Sequence, residues 1–152
     1  MPQNIAAVLR LLSVVVYVAS FVLPVCGESK PVGSCLGIGA FLMALFWPWA
    51  LAIGNFPEGL IYVMLWFPSW LANVAYWLAL FCLSDGKNRK ATLLAGLGVF
   101  LGLTIIPGLG FWGGEFRVGY WCWIGSMALL ALAAGIAGES RWVKPKGVEE
   151  LS

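Results

Sequence analysis

The residues best suited to binding chemistry lie on one apolar stretch, residues 60–83, where aromatic rings surround a single amide. Wound as a helix at about 100° per residue, one arc of about 80° on this stretch contains Tyr62, Trp66, Trp70, Asn73 and Trp77. Such an arc suits a partner helix or an amphipathic ligand, with Asn73 as the polar contact. The alternative is that Asn73 bonds to a neighbouring helix and that the tryptophans only pack.

The sequence has few residues suited to metal binding, proton transport or catalysis. The sequence has no histidine, and no cysteine pair has the close spacing of a zinc site. No acidic residue lies within an apolar stretch, which disfavours a proton-coupled transporter. An enzyme would have only hydroxyls, thiols and peripheral carboxylates, without a histidine base. We therefore predict a protein that is not an enzyme and that binds no metal and no cofactor.

The apolar stretches themselves determine the predicted class. There are five, at residues 5–25, 36–53, 60–83, 91–106 and 119–137, in a chain with 61% hydrophobic and 11% charged residues and a mean hydropathy of +0.91. Several reach the roughly 20 residues that a bilayer core requires, and none alternates as a barrel strand would. The sequence predicts an all-α integral membrane protein, with a helical bundle at residues 1–138 and a short cytoplasmic tail at 139–152.

The second stretch, residues 36–53, leaves the number of spans open. It is short, and Trp47-Pro48-Trp49 interrupts it where proline removes a helical hydrogen bond. We predict four full transmembrane helices with a broken or re-entrant second segment. The alternative is five spanning helices.

Positive charges predict the orientation. The loop 84–90 carries Lys87, Arg89 and Lys90 against Asp85 alone, so the positive-inside rule places it in the cytoplasm. The basic C-terminal tail follows the same rule. With four spans the N-terminus is also cytoplasmic, in a multi-pass membrane protein. The turn 111–118 is then outside, and the aromatic residues around it are expected at the membrane surface: Trp112, Tyr120, Trp121 and Trp123.

Two cysteines flank the polar loop 27–34. In the four-span arrangement Cys26 and Cys35 face an oxidising compartment, where a disulfide is plausible. The alternative is that both are small apolar residues at helix ends.

Small residues at helical spacing predict close helix packing. Gly98 and Gly102 form a GxxxG pair, and Ala128, Ala131 and Gly135 follow a similar spacing in the last stretch. Either pattern could join helices of one chain or of two.

Two segments resemble a group of small, uncharacterised bacterial inner-membrane proteins. They are Trp70-Leu71-Ala72-Asn73 and Gly119-Tyr120-Trp121-Cys122-Trp123-Ile124-Gly125-Ser126, the latter similar to a Gly-Tyr-aromatic-x-Trp-x-x-Ser pattern at the start of that group's final helix. In that group a proline commonly follows the asparagine, whereas this chain has Val74. The resemblance implies a compact multi-helix membrane protein and brings no reaction or catalytic residue.

Short loops leave the bundle itself as the place of function. The leading hypothesis is a non-enzymatic protein that binds a protein partner or an inserting toxin within the bilayer, as an immunity protein or an accessory subunit would. The alternatives are an oligomeric channel or transporter and a lipid-binding protein. Expected partners are membrane lipids and a membrane protein or a second copy of the chain, and the charge pattern predicts no nucleic acid.

Overall fold

Helices make up most of the structure, a computed structural model that describes residues 2–27, 35–36, 38, 59–104, 106 and 115–142. Within these residues lie α1 (Pro2–Val22), α2 (Gly59–Ser84), α3 (Asn88–Leu103) and α4 (Val118–Trp142). Three short strands accompany them: β1 (Pro24–Gly27), β2 (Cys35–Leu36) and β3 (Glu115–Phe116). The predicted second stretch, 36–53, lies outside the described residues apart from Leu36 and Ile38.

The helices follow the remaining apolar stretches, with shifts at their ends. α2 continues through Pro68 and stops at Ser84, where Gly86 adopts a left-handed conformation with φ of 73°. The amide of Lys87 donates to the Cys82 carbonyl at 2.8 Å, and that of Gly86 to Leu83 at 3.1 Å. This is the Schellman arrangement that ends helices at glycine. α4 extends to Trp142, so residues 139–142 of the predicted tail are helical.

Neighbouring helices run antiparallel in a ring of order α1, α4, α3, α2. α4 packs against both α1 and α3, with the more extensive contact on α1, and α3 packs most extensively against α2. The backbones of α1 and α2 approach each other closely at few points, and large side chains fill the space between them. The core combines two tyrosines with small and aliphatic residues: Tyr17, Ala72, Tyr76, Ala79, Leu80, Ala95, Met127 and Leu130.

The predicted GxxxG pair belongs to a longer buried stripe of small residues on α3, which consists of Ala91, Ala95, Gly98 and Gly102. A Cβ added at Gly98 would lie 3.1 Å from Met127 Sδ and 3.3 Å from the Ala72 carbonyl oxygen, and one at Gly102 would meet Ile124. Small residues let helices approach this closely. The structure therefore places Gly98 and Gly102 between helices of the same chain.

The second predicted packing set, on α4, is divided. Ala131 packs against the core and Ala128 is half-buried, but a Cβ at Gly135 would meet no described atom within 4 Å. The buried side of α4 mixes large residues with small ones outside the predicted set: Tyr120, Ile124, Ser126, Met127, Leu130, Ala133 and Ala134. Alignment of small residues alone does not identify the contact face, because larger apolar side chains fill the wider gaps between helices.

The strands form a small sheet of order β2-β1-β3, with both pairings antiparallel. In the register, Cys26 lies opposite Cys35 on one side and opposite Phe116 on the other. The sheet lies where α1 ends and α4 begins, since a Cβ at Gly119 would be 2.8 Å from the carbonyl oxygens of both Leu23 and Pro24. We call this part of the molecule the strand end.

The opposite end of the bundle collects the charged turn. Arg10 Nη2 donates to Ser84 Oγ at 2.6 Å, which places the first half of α1 beside the end of α2. The last turns of α4 reach the same end, because a Cβ at Gly138 would lie 3.6 Å from that of Asn88. We call it the cationic end.

Among the described residues, two helical segments are long and apolar enough to cross a membrane by length and composition: Gln3–Val22 with 20 residues and Val118–Gly138 with 21 residues. Trp70–Ser84 is a shorter apolar helix among the described residues. Only 22% of the first segment is buried. Its exposed large side chains, seven in all, are Ile5, Val8, Leu11, Leu12, Val15, Val18 and Val22.

The contact at Gly119 gives a prediction about stability. Gly119→Ala should lower the free energy of unfolding by about 1 to 3 kcal/mol, because the added methyl meets backbone oxygens that cannot turn aside. Gly125→Ala is the matched control on the same helix, where a Cβ meets no described atom within 4 Å, and it should be neutral or stabilising. Denaturant titration of the purified protein in detergent measures both. Equal effects would show that the approach of α4 to Leu23 and Pro24 is looser than described.

Candidate functional site

Asn73, half-buried on α2, is the point at which α1, α2 and α4 meet. Tyr17 of α1 donates its hydroxyl to Asn73 Oδ1 at 2.7 Å, and Trp123 of α4 donates Nε1 to the same oxygen at 2.9 Å. An amide oxygen has two lone pairs, and an indole nitrogen only donates, so the amide must present its oxygen here. One acceptor therefore links two neighbouring helices to α2.

A second set of hydrogen bonds joins the same helices nearer the cationic end. Ser13 Oγ lies 2.8 Å from the Ser126 carbonyl oxygen and 2.9 Å from the Tyr76 hydroxyl. A carbonyl only accepts, so the single proton of Ser13 goes to Ser126, and Tyr76 donates to Ser13. Ser126 in turn donates its hydroxyl to the Trp123 carbonyl at 2.6 Å.

Stacked rings connect the two sets. Tyr17 and Tyr76 lie face to face, with ring centroids 4.2 Å apart and planes 8° from parallel. Trp77 meets Tyr17 edge-on at 5.7 Å and Tyr76 edge-on at 5.9 Å. We call the six residues that carry the hydrogen bonds the interhelical network: Ser13, Tyr17, Asn73, Tyr76, Trp123 and Ser126.

Two residues of the predicted arc on α2 contact α1. Asn73 and Trp77 both contact Tyr17, so the structure brings these two together. Trp70 is half-buried and stacks on Phe67 with centroids 6.1 Å apart. Tyr62 and Trp66 lie on α2, but their side chains lie outside the described residues. The Asn73 amide takes the role that the alternative interpretation gave it, as a bond between helices.

Sequence reasoning missed the partners of Asn73, although α1 carries a signal for them. Arg10, Ser13, Tyr17 and Ser20 recur at helical spacing within an arc of about 80° on an otherwise apolar helix. Such a polar stripe marks the side that faces other helices. The structure confirms that Ser13, Tyr17 and Ser20 are buried.

The aromatic residues in the first turns of α4 differ in burial. Tyr120, expected at the membrane surface, is buried and donates its hydroxyl to the Gly102 carbonyl at 2.8 Å. Trp123 is half-buried through its bond to Asn73, whereas Trp121 is exposed. Tyr120 therefore faces the bundle interior, where its hydroxyl finds an acceptor beside the small Gly102, and its place in an aromatic belt at a membrane surface stays a prediction.

The charged residues in the turn at the cationic end are mostly basic. Lys87 Nζ and Asp85 Oδ2 are 2.9 Å apart in an exposed ion pair. The hydrogen bond to Asp85 and the charge of this carboxylate raise the pKa of Lys87 above its usual value. Arg89 and Lys90 are exposed at the start of α3, so the turn is positive at neutral pH.

The interhelical network consists of matched donors and acceptors and so suits structural linkage. Within the described ranges, no group of three or more His, Cys, Asp or Glu residues could hold a metal ion. Comparisons with protein-family models, curated proteins and solved structures find no match to this chain. The resemblance set out from the sequence therefore stays a prediction.

Removing the Asn73 amide tests the network. Asn73→Leu keeps the side-chain bulk but leaves the Tyr17 hydroxyl and the Trp123 indole without their acceptor, so we expect a loss of about 1 to 3 kcal/mol in the free energy of unfolding. Thr92→Val is the control, because Thr92 bonds only within its own helix, to the Asn88 carbonyl. It should change stability by less than about 0.5 kcal/mol.

A double-mutant cycle isolates the Tyr17 bond. Tyr17→Phe keeps the ring that stacks on Tyr76 and removes only the hydroxyl. Combined with Asn73→Leu, it should show a coupling of about 0.5 to 1.7 kcal/mol, as measured for hydrogen bonds between membrane helices. Additive losses would mean that Tyr17 and Asn73 do not interact in solution.

Proposed function

We propose that this chain is an integral membrane protein of the bacterial inner membrane. The observation that carries the proposal is α1, whose apolar segment is long enough to span and only 22% buried. In water the seven outward apolar side chains of this one helix would face solvent, and large exposed apolar patches mark a membrane or protein interaction surface. In a bilayer the same side chains face lipid, while the polar groups of α1 bond inward.

The placement of polar groups supports this proposal. Asn73 lies 11 residues before the end of α2 at Ser84, a rise of about 16 Å, near the middle of a core about 30 Å thick. An amide at that depth is costly unless it is hydrogen-bonded, and Asn73 is. Arg10, the one charge within the first apolar stretch, lies at the cationic end, where headgroups would receive it.

We propose that the cationic end faces the cytoplasm and the strand end faces outward. The positive turn with Arg89 and Lys90 lies beside the first half of α1 and the last turns of α4. The positive-inside rule then assigns both chain ends to the cytoplasmic side.

Within the membrane, we propose that the protein acts by binding a partner protein helix or an inserting toxin, as an immunity protein or accessory subunit does. The supporting feature is the outer aromatic face of α2, a surface made of Phe67, Trp70, Trp77, Leu78 and Phe81. Trp77 is 56% exposed, yet its ring packs edge-on against Tyr17 and Tyr76, which fix its position. A large aromatic side chain that is fixed before binding loses little entropy on contact, which is typical of binding hot spots.

The orientation can be measured directly. Single cysteines introduced at Gln3 and Lys87 of a cysteine-free variant should be protected in intact cells from a membrane-impermeant maleimide and should react after lysis. A cysteine at Glu115 in the strand end is the control and should react without lysis. Labelling of intact cells at Lys87 would reverse the whole orientation, and labelling at Gln3 alone would rule out the four-span arrangement.

Partner binding is tested by a pair of tryptophans. Trp77→Leu should lower recovery of a copurifying membrane protein from mild detergent at least about tenfold, as loss of a hot-spot residue does. Trp121→Leu is the matched control, since Trp121 on α4 is 52% exposed and also lies edge-on to a tyrosine, Tyr120, at 5.3 Å. Equal recovery from both variants would remove α2 as the binding surface, and purification with lipid alone would favour a lipid-binding protein.

A further inference from the structure

The strand end brings two cysteines into register although a polar loop separates them in sequence. Cys26 in β1 and Cys35 in β2 are direct partners across an antiparallel pair. Residues that face each other in such a pair have Cα atoms about 4.5 or 5.5 Å apart, according to whether hydrogen bonds flank them. Both separations fall within the range of about 4.4 to 6.8 Å that a disulfide requires.

The strand geometry indicates that the pairing of these two cysteines is specific. The register shifts between Pro24 and Cys26, so that Val25 is an extra residue on β1. Without this bulge, Leu36 opposite Pro24 would place residue 34, a serine, opposite Cys26. The bulge is what aligns the second cysteine with the first.

The compartment also suits oxidation. The strand end lies at the far end of the bundle from Lys87 and Arg89, and disulfides persist outside the cytoplasm. The other described cysteines, Cys82 and Cys122, are free and lie on separate helices, α2 and α4. They serve as internal controls.

We propose that Cys26 and Cys35 form a disulfide that joins β2 to β1, an inference that rests on the proposed orientation of the strand end. The two thiols lose two protons and two electrons as the S–S bond forms. The electrons pass to a disulfide oxidant of the outer compartment, which becomes a dithiol. The bond fixes a two-residue strand that otherwise depends on a few backbone hydrogen bonds, and so attaches the chain around Cys35 to the ends of α1 and β3.

Differential alkylation of cells tests the disulfide. Acid-quenched cells are denatured and treated with N-ethylmaleimide, then reduced, and the released thiols take a heavier maleimide. Peptide mass spectrometry should find the heavy label on Cys26 and Cys35 and the light label on Cys82 and Cys122. In Cys26→Ser, Cys35 should change from heavy to light. Light label on both Cys26 and Cys35 of the original protein would overturn the proposal.

If the disulfide is absent from cells, a second experiment distinguishes a wrong strand pairing from a wrong orientation. If purified, reduced protein forms the bond with oxidised glutathione, the register is right and the proposed orientation is at fault; if it does not, the pairing itself is wrong. The maleimide test at Lys87 gives the orientation independently. Where the disulfide is present, its reduction should lower the midpoint of thermal unfolding by several degrees in the original protein and leave the Cys26→Ser variant unchanged.

Discussion

The structure depends on the need to satisfy a few polar groups inside an apolar bundle. The oxygen of Asn73 accepts from Tyr17 and Trp123, and Ser13 accepts from Tyr76 while it donates to the Ser126 carbonyl. Each bond crosses from one helix to another, so the bonds fix the rotation and the depth of α1, α2 and α4 together. Apolar contacts alone would specify these less sharply, because leucine and valine side chains can pack in many arrangements.

On the other side of the bundle, close packing of small residues holds α3 against its neighbours. Ala91, Ala95, Gly98 and Gly102 bring α3 against its neighbours, so that the Ala72 carbonyl oxygen and the Met127 side chain pack directly on Gly98. The bundle thus has a tight side around α3 and a wider side between α1 and α2, which the stacked tyrosines fill. The outward aromatic residues of α2 border the wider side, and this is why the position of Trp77 depends on Tyr17 and Tyr76.

The lengths of the apolar stretches predicted the four helices to within a few residues: 2–22, 59–84, 88–103 and 118–142. The spacing of small residues predicted close helix packing at Gly98 and Gly102. Asn73 stood out because an amide in such a stretch demands a partner. The identity of that partner did not follow, because it depends on which residues of separate helices reach the same depth. Tyr120 illustrates the same limit: its spacing suits a surface belt equally well, and only the room beside Gly102 decides that it turns inward.

The few backbone approaches between α1 and α2 have a mechanical consequence. The ring of helices is closed at three seams by backbones in close contact and at the fourth by side chains, chiefly the Tyr17–Tyr76 stack and the bonds of Asn73 and Ser13. Opening this fourth seam would break those hydrogen bonds and the ring stack, whereas opening any of the other three would also separate closely packed backbones. Side-chain contacts, and not close backbone packing, therefore set the distance between α1 and α2 along this one line.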